Sequence, residues 1–292
     1  MKKILSMSTI ILISITFISG CIKEKPVSYN GLYLGQQVSG TEPQLFAPGF
    51  ISTDLNERDA SFTKDGNEFY FSIFTGSFGV ILVSKQMNGV WQEPEIASFS
   101  GHYSDLEPCV SPDGQRLYFA SNRPLEGKGE AKDYDIWFVE KVPSGWGIPQ
   151  NLEQPINTEK DEFYPSVTKD GTLYLTAQYE NSLGGEDIFK VPQIDGVYQK
   201  PENPGEAINS ARGEFNACIS ADESILIFGS FGRGDGQGGG DLYISLKDEN
   251  GNWTTAQNMG PQINSPALDY CPSISPDGKY LFFTSQRADM PA

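Results

Sequence analysis

Five carboxylates stand at one fixed offset in this chain. Glu57, Asp105, Glu162, Glu214 and Asp269 each lie eight residues before another aspartate, namely Asp65, Asp113, Asp170, Asp222 and Asp277. Acids gathered by a repeat can do three kinds of chemistry. A single pair at a set separation, one member with a raised pKa, cleaves glycosidic bonds. Several hard oxygens together hold a cation. An acid opposite an arginine makes an internal ion pair. Counting across a hairpin that turns at Asp113-Gly114 sets Asp105 opposite Asn122-Arg123. The same count puts Glu214 near Arg233 and Asp269 beside Arg287. Opposite Glu57 and Glu162 it finds Phe74-Thr75 and Tyr179, which carry no charge. Structural pairing is therefore expected for three acids, and Glu57 and Glu162 are the candidates for a ligand or ion.

Other reactive patterns are weaker. Glycine-rich stretches run through Gly127 to Asp135, Leu183 to Asp187, and Gly234 to Asp241. Their oxygens make Asp235 and Asp241 calcium candidates, but no EF-hand spacing is present and flexible hairpin loops explain them. No other cofactor is implied. The one histidine, His102, has no Gly-x-Ser-x-Gly elbow to serve, so a Ser-His-Asp triad is not expected. Ser61-Phe62-Thr63-Lys64 and Ser166-Val167-Thr168-Lys169 match Ser-x-x-Lys without its companion motifs, and both fall on a turn. Cys109, Cys218 and Cys271 read as small core residues rather than disulfide partners, the first two replacing a serine found in sibling copies. Trp137 and Trp146 read as core between sheets rather than sugar platforms.

The elements that position these residues are hairpins. Asp105 to Arg123 gives two alternating apolar runs around Pro112-Asp113-Gly114, where proline presets one turn dihedral and glycine accepts the positive one. Four further copies follow, the turn aspartates being 48, 57, 52 and 55 residues apart. A period near fifty predicts an all-β propeller of four-stranded blades in one domain, residues 29–292. Five blades are counted, with a sixth left open. The fifth copy has two strands, so the N-terminal segment is expected to close the ring: Gly31-Leu32-Tyr33-Leu34 as a third strand, and Pro43-Gln44-Leu45-Phe46 in the place of Pro149-Gln150-Asn151-Leu152. The Asp-Gly turns then lie on the bottom face, and the five acids are expected to enter the top rim of the central channel, among the variable loops.

Ser111-Pro112-Asp113-Gly114 and Ser275-Pro276-Asp277-Gly278 resemble the TolB-like propeller repeat, a family similar to WD repeats, and the resemblance spans about residues 57–287. Ser121-Asn122-Arg123-Pro124 and Asn258-Met259-Gly260-Pro261-Gln262-Ile263-Asn264 also resemble propellers of Bacteroidota envelope proteins. The resemblance implies a non-catalytic module that binds a protein or peptide. The alternative is a propeller that binds or processes carbohydrate with acids at the channel mouth.

Lys2-Lys3, the apolar run Ile4 to Ile18, and Ser19-Gly20-Cys21 read as a secretory leader over residues 1–21. Ile18 to Cys21 resembles a bacterial lipobox, which implies acylation of Cys21, a tether over residues 22–28, and membrane attachment through the lipid alone. Ile22 after the cysteine suggests the outer membrane, and Lys23-Glu24 resembles a surface-export signal; the side of the membrane is left open. Loss of Lys2 and Lys3 takes the formal charge from −17 to −19. Such an acidic body repels phosphate backbones, so nucleic acid is not an expected partner.

Overall fold

The Asp-Gly turn is built by short local hydrogen bonds. The Ser111 hydroxyl donates to Asp113 Oδ1 at 2.6 Å, and the same oxygen accepts from Gln115 N at 2.9 Å, which closes the hairpin from within. All five copies do this, with Thr63, Thr168, Ser220 and Ser275 in the place of Ser111. Hydrogen bonds to the ionised form lower the acids' pKa. Ser224 and then Ser220 hold Asp222 down at about 2, and Ser275 does the same for Asp277.

The computed structural model describes residues 29–36 and 40–288. The leader, Cys21 and the tether lie outside the described residues. Among the described residues the hairpins extend into five sheets. The first holds β1 (Glu57–Phe62), β2 (Glu68–Phe74), β3 (Gly79–Met87), β4 (Val90–Trp91) and β5 (Glu95–Ile96). The second holds β6 (Asp105–Val110), β7 (Arg116–Ser121), β8 (Asp135–Val142), β9 (Gly145–Trp146) and β10 (Gln150–Asn151). The third holds β11 (Glu162–Val167), β12 (Leu173–Ala177) and β13 (Asp187–Val191), beside the hairpin β14 (Gln193–Ile194) and β15 (Val197–Tyr198). Its fourth strand shrinks to a bridge from Lys190 to Glu202. The fourth holds β16 (Gly213–Ile219), β17 (Ile225–Phe231), β18 (Asp241–Leu246) and β19 (Gln257–Asn258). The fifth has only β20 (Asp269–Ile274) and β21 (Leu281–Ser285).

Among the described residues the chain is thus a β-propeller of four full blades and the first two strands of a fifth. The inner strands β1, β6, β11, β16 and β20 follow one another around the axis, and β20 packs against both β16 and β1, so the ring closes. Between sheets lies an apolar filling that includes Tyr118, Phe138 and Phe189 in one cluster and Tyr70, Phe119 and Trp137 in another. Trp137 and Trp146 both sit in this filling, as expected.

Closure differs from the expectation in one respect. Leu32–Gly35 is a 3-10 turn, and Tyr33 and Leu34 have φ of 50° and 57°, so this segment supplies no third strand. The positive dihedrals coil the backbone and drive both side chains inward. The segment is a strap over the junction of the first and fifth blades. Asn30 bridges to Val90, and the Trp91 indole donates to Gly31 O at 2.8 Å. Tyr33 meets Phe62 edge-on at 5.0 Å and Tyr280 at 5.1 Å. Phe46 joins them against Phe62, Phe69 and Phe282. The ring is sealed by aromatic packing instead of a shared sheet.

Candidate functional site

Four of the five repeat acids are buried instead of lining a channel mouth. Asp105, Glu162, Glu214 and Asp269 are fully buried, and each grips the linker that enters its own blade. Ser210 donates to Glu214 through both its amide, at 2.8 Å, and its hydroxyl, at 2.7 Å. Thr158 does the same to Glu162 and Ser265 to Asp269, while Ser100 and Gly101 N serve Asp105. The sequence-based placement at the channel rim is therefore corrected for these four: a donor four or five residues upstream holds each carboxylate inside the protein.

The three ion pairs form as counted. Arg123 reaches Asp105 at 2.6 Å, Arg233 reaches Glu214 at 2.9 Å, and Arg287 reaches Asp269 at 2.6 Å. Each arginine also donates to a linker carbonyl, of Phe99, Ile208 or Ile263 respectively. In the third blade the Tyr179 hydroxyl takes over that second task, donating to Ile156 O at 2.6 Å, and among the described residues no cation pairs with Glu162. Burial pushes the Glu162 carboxyl up to about 8. Its folded pKa lies above the ordinary carboxylate value, so its contribution to stability is full below about pH 4.5 and is lost as pH rises toward 8. Glu162→Gln is expected to flatten that decline by on the order of 2 kcal/mol between pH 5 and 8. Urea unfolding at both pH values measures it, and equal slopes in the two proteins would refute the assignment.

The glycine-rich loops are laced to the next blade rather than free. Gly239 N donates to Pro266 O at 3.3 Å, and a Cβ on Gly238 would come within 2.3 Å of the Pro266 backbone. Asp241 is buried with Gln237 N and Asn258 Nδ2 on one oxygen, and Asp235 accepts from the Tyr243 hydroxyl. Among the described residues no group of three or more acids, histidines or cysteines is gathered to hold a metal ion. Cys109, Cys218 and Cys271 carry free thiols.

The axis itself is filled by a set that the sequence reading missed. Each inner strand has a bulge at the same place, and the residue there adopts a left-handed backbone: Asp59, Glu107, Tyr164, Asn216 and Cys271, with φ between 50° and 66°. Arg58 lies over the Tyr270 ring and binds Asp59 at 2.8 Å and Glu107 at 2.7 Å. Glu107 also accepts from Tyr164 N at 2.6 Å and from Asn216 Nδ2 at 3.4 Å. Tyr164 OH reaches Pro272 O at 2.8 Å. Contacts between second and fourth blades, and between third and fifth, can only cross the axis. Two carboxylates share one guanidinium there, and burial raises the Glu107 carboxyl above its usual range. All six of these polar or titratable groups sit six or seven residues before a turn aspartate. That shared position was the available signal.

An open cleft of about 500 Å³ runs along the fifth blade. Gln44, Phe46 and Glu57 line one side, and Tyr280, Phe283 and Arg287 the other. Of the eight acids and arginines predicted for a binding face, Glu57 and Arg287 are the two that border it. Glu57 is half-buried, and its carboxylate accepts from the Thr53 hydroxyl.

A scan against protein-family models returned no match. A search of curated proteins returned none either. Solved structures do match. TolB from Acinetobacter baumannii is 16% identical with a TM-score of 0.51, over 80% of this chain and 49% of that one. A thermostable family-43 glycoside hydrolase is 16% identical with a TM-score of 0.51, over 81% of this chain and 85% of that one. The likeness is one of fold. The chain spans about half the length of the TolB chain, and at this identity neither neighbour assigns chemistry.

Proposed function

We propose that this chain is a non-catalytic propeller that binds a protein or peptide in the bacterial cell envelope, held to a membrane through acylated Cys21. The observation that carries the reading is the contrast between axis and edge. Glycosidase chemistry in a propeller channel needs two carboxylates that reach a sugar, one as acid and one as base or nucleophile. Asp59 and Glu107 are buried, share Arg58, and border no part of the open cleft. The cleft instead combines aromatic and polar side chains, which suits a polypeptide. Envelope placement rests on the leader-like start and the lipobox resemblance of residues 1–21.

Photo-crosslinking from Gln44, inside the cleft, and from Gln193, on the far side of the ring, tests this in intact cells carrying the full chain. A discrete protein adduct from Gln44 and none from Gln193 is the expected result. Adducts from neither position would overturn the reading. A stabilising shift with an oligosaccharide, abolished by Glu57→Gln, would move the site to the carbohydrate alternative.

A further inference from the structure

The strap joins the propeller on the face that carries the Asp-Gly turns. Asn30 bridges to Val90 and Gly31 N donates to Gly89 O at 3.3 Å, so residues 30 and 31 lie on the β3–β4 hairpin. A Cβ on Gly66, in the first Asp-Gly turn, would meet the Leu32 side chain at 3.0 Å. The seven tether residues 22–28 span at most about 25 Å. Inner strands of six residues, such as β1 and β6, give the blades a height of about 20 Å. A lipid on Cys21 therefore holds the turn face near the membrane, and the opposite face could meet it only with the tether drawn straight along a blade.

Projecting apolar tips stand on the same face. The hairpins between strands three and four hang beside the Asp-Gly turns: Gln86 N donates to Asn67 O, and a Cβ on Gly171 would meet the Gln193 side chain. Asn88-Gly89 has φ of 53° and 81°, and Asp195-Gly196 has 50° and 80°, the two positive dihedrals of a tight two-residue hairpin. Each turn is flanked by an aliphatic pair, Met87 with Val90 and Ile194 with Val197. Met87 is 60% exposed, Ile194 58% and Val197 63%, so these pairs face outward instead of filling the space between blades.

Charge separates the two faces. On the turn face acids are answered locally: Glu223 binds Lys190 and Lys247 at 2.7 Å each, and Glu140 binds Arg116 at 2.9 Å. Lys64 and Lys169 stand exposed in the turns themselves. On the other face Glu126, Glu130, Glu159, Asp161, Glu180 and Glu186 are exposed on the loops and linker of the second and third blades. Leu125 and Leu183 are exposed there too, but among acids that anionic headgroups repel. Apolar exposure alone does not choose a face; apolar tips beside balanced charge do.

We propose that the face carrying the Asp-Gly turns lies against a phospholipid surface, with the Asn88-Gly89 and Asp195-Gly196 tips entering the boundary between headgroup and acyl chain. The proposal rests on the anchored-module reading and adds which side meets the membrane and what holds it there. The acidic loops then point away from the lipid. Gln193, on the β14–β15 hairpin, faces headgroups instead of protein, in keeping with its silence as a crosslinking position.

For the test, the chain is acylated in cells and returned to vesicles of phosphatidylethanolamine and phosphatidylglycerol, with a fluorescent amino acid in place of Val197 or of Leu125. Lipids brominated along their acyl chains are expected to quench the first by ~3-fold or more over the second. Equal quenching at the two positions, or more at Leu125, would overturn the proposal. Met87→Asp with Ile194→Asp, both on exposed tips, should remove the difference while the lipid keeps the chain on the vesicles. A difference that persists takes the tips out of the lipid and overturns it as well. If mass measurement finds Cys21 without an acyl group, the anchoring reading fails by itself. The Cys21→Ser chain added to the same vesicles then decides this one: quenching at Val197 keeps the lipid-facing surface, and its absence ends it.

Discussion

Arg58→Ala lowers the stability of the propeller by about 3–5 kcal/mol at pH 8, the loss expected when one member of a buried ion cluster is removed and its partners stay behind. Asp59 and Glu107, on neighbouring inner strands, would then lie side by side without the guanidinium they share. The pH dependence identifies the cause. In the wild-type protein Glu107 already holds its proton above the pH at which an unfolded chain releases it, so its contribution to stability falls as pH rises from about 4.5. Removal of Arg58 raises that carboxyl further and extends the fall to higher pH. The deficit of the variant should therefore be smaller at pH 5 than at pH 8. Urea midpoints at the two pH values decide it. A deficit under about 1 kcal/mol at pH 8, or one that grows toward pH 5, would show that the cluster is not ionised as described.

Phe62→Ala costs a similar amount, about 3–5 kcal/mol, through a cavity instead of a charge. Phe62 is buried and touches Tyr33, Phe46, Phe69, Trp91 and Phe282, so it joins the strap, the first blade and the fifth. Because no ladder joins the first and fifth blades among the described residues, side-chain packing carries most of the resistance to opening there. Amide exchange should consequently accelerate in β20 and β21 before it does in β11 or β12. Uniform acceleration over all five blades would mean that the ring opens as one unit and that the seam has no special weakness.

The repeat, the turn and three ion pairs were legible in the sequence because each is set within one hairpin. Ser111 to Asp113 is a contact over two residues, and the pairing of Asp105 with Arg123 follows from counting across the turn. The axis was not legible. Its column reads Asp, Glu, Tyr, Asn, Cys, which share no chemistry, and their common property is a left-handed dihedral that non-glycine residues rarely announce. Glu57 and Glu162 were singled out together for lacking an arginine, yet they differ. Tyr179 donates to the linker above buried Glu162, whereas Thr75, at the same register in the first blade, spends its hydroxyl on Phe78 O, and Glu57 remains at the cleft. The strap misled for a simpler reason: Leu32-Tyr33-Leu34 has strand composition, but Gly31 and Gly35 at its ends permit the coil that buries it.

The five bulges carry one more consequence. As sheets the blades are near-copies, and a repeat protein of this kind would tolerate their exchange if the sheets were all that mattered. At the axis each copy contributes a different chemical letter, and the word is read only in one order, with Arg58 between Asp59 and Glu107 and with Asn216 beside Cys271. Duplicated backbone has thus become an ordered assembly in which every blade knows its place, and permuting two of them would leave buried charges facing strangers.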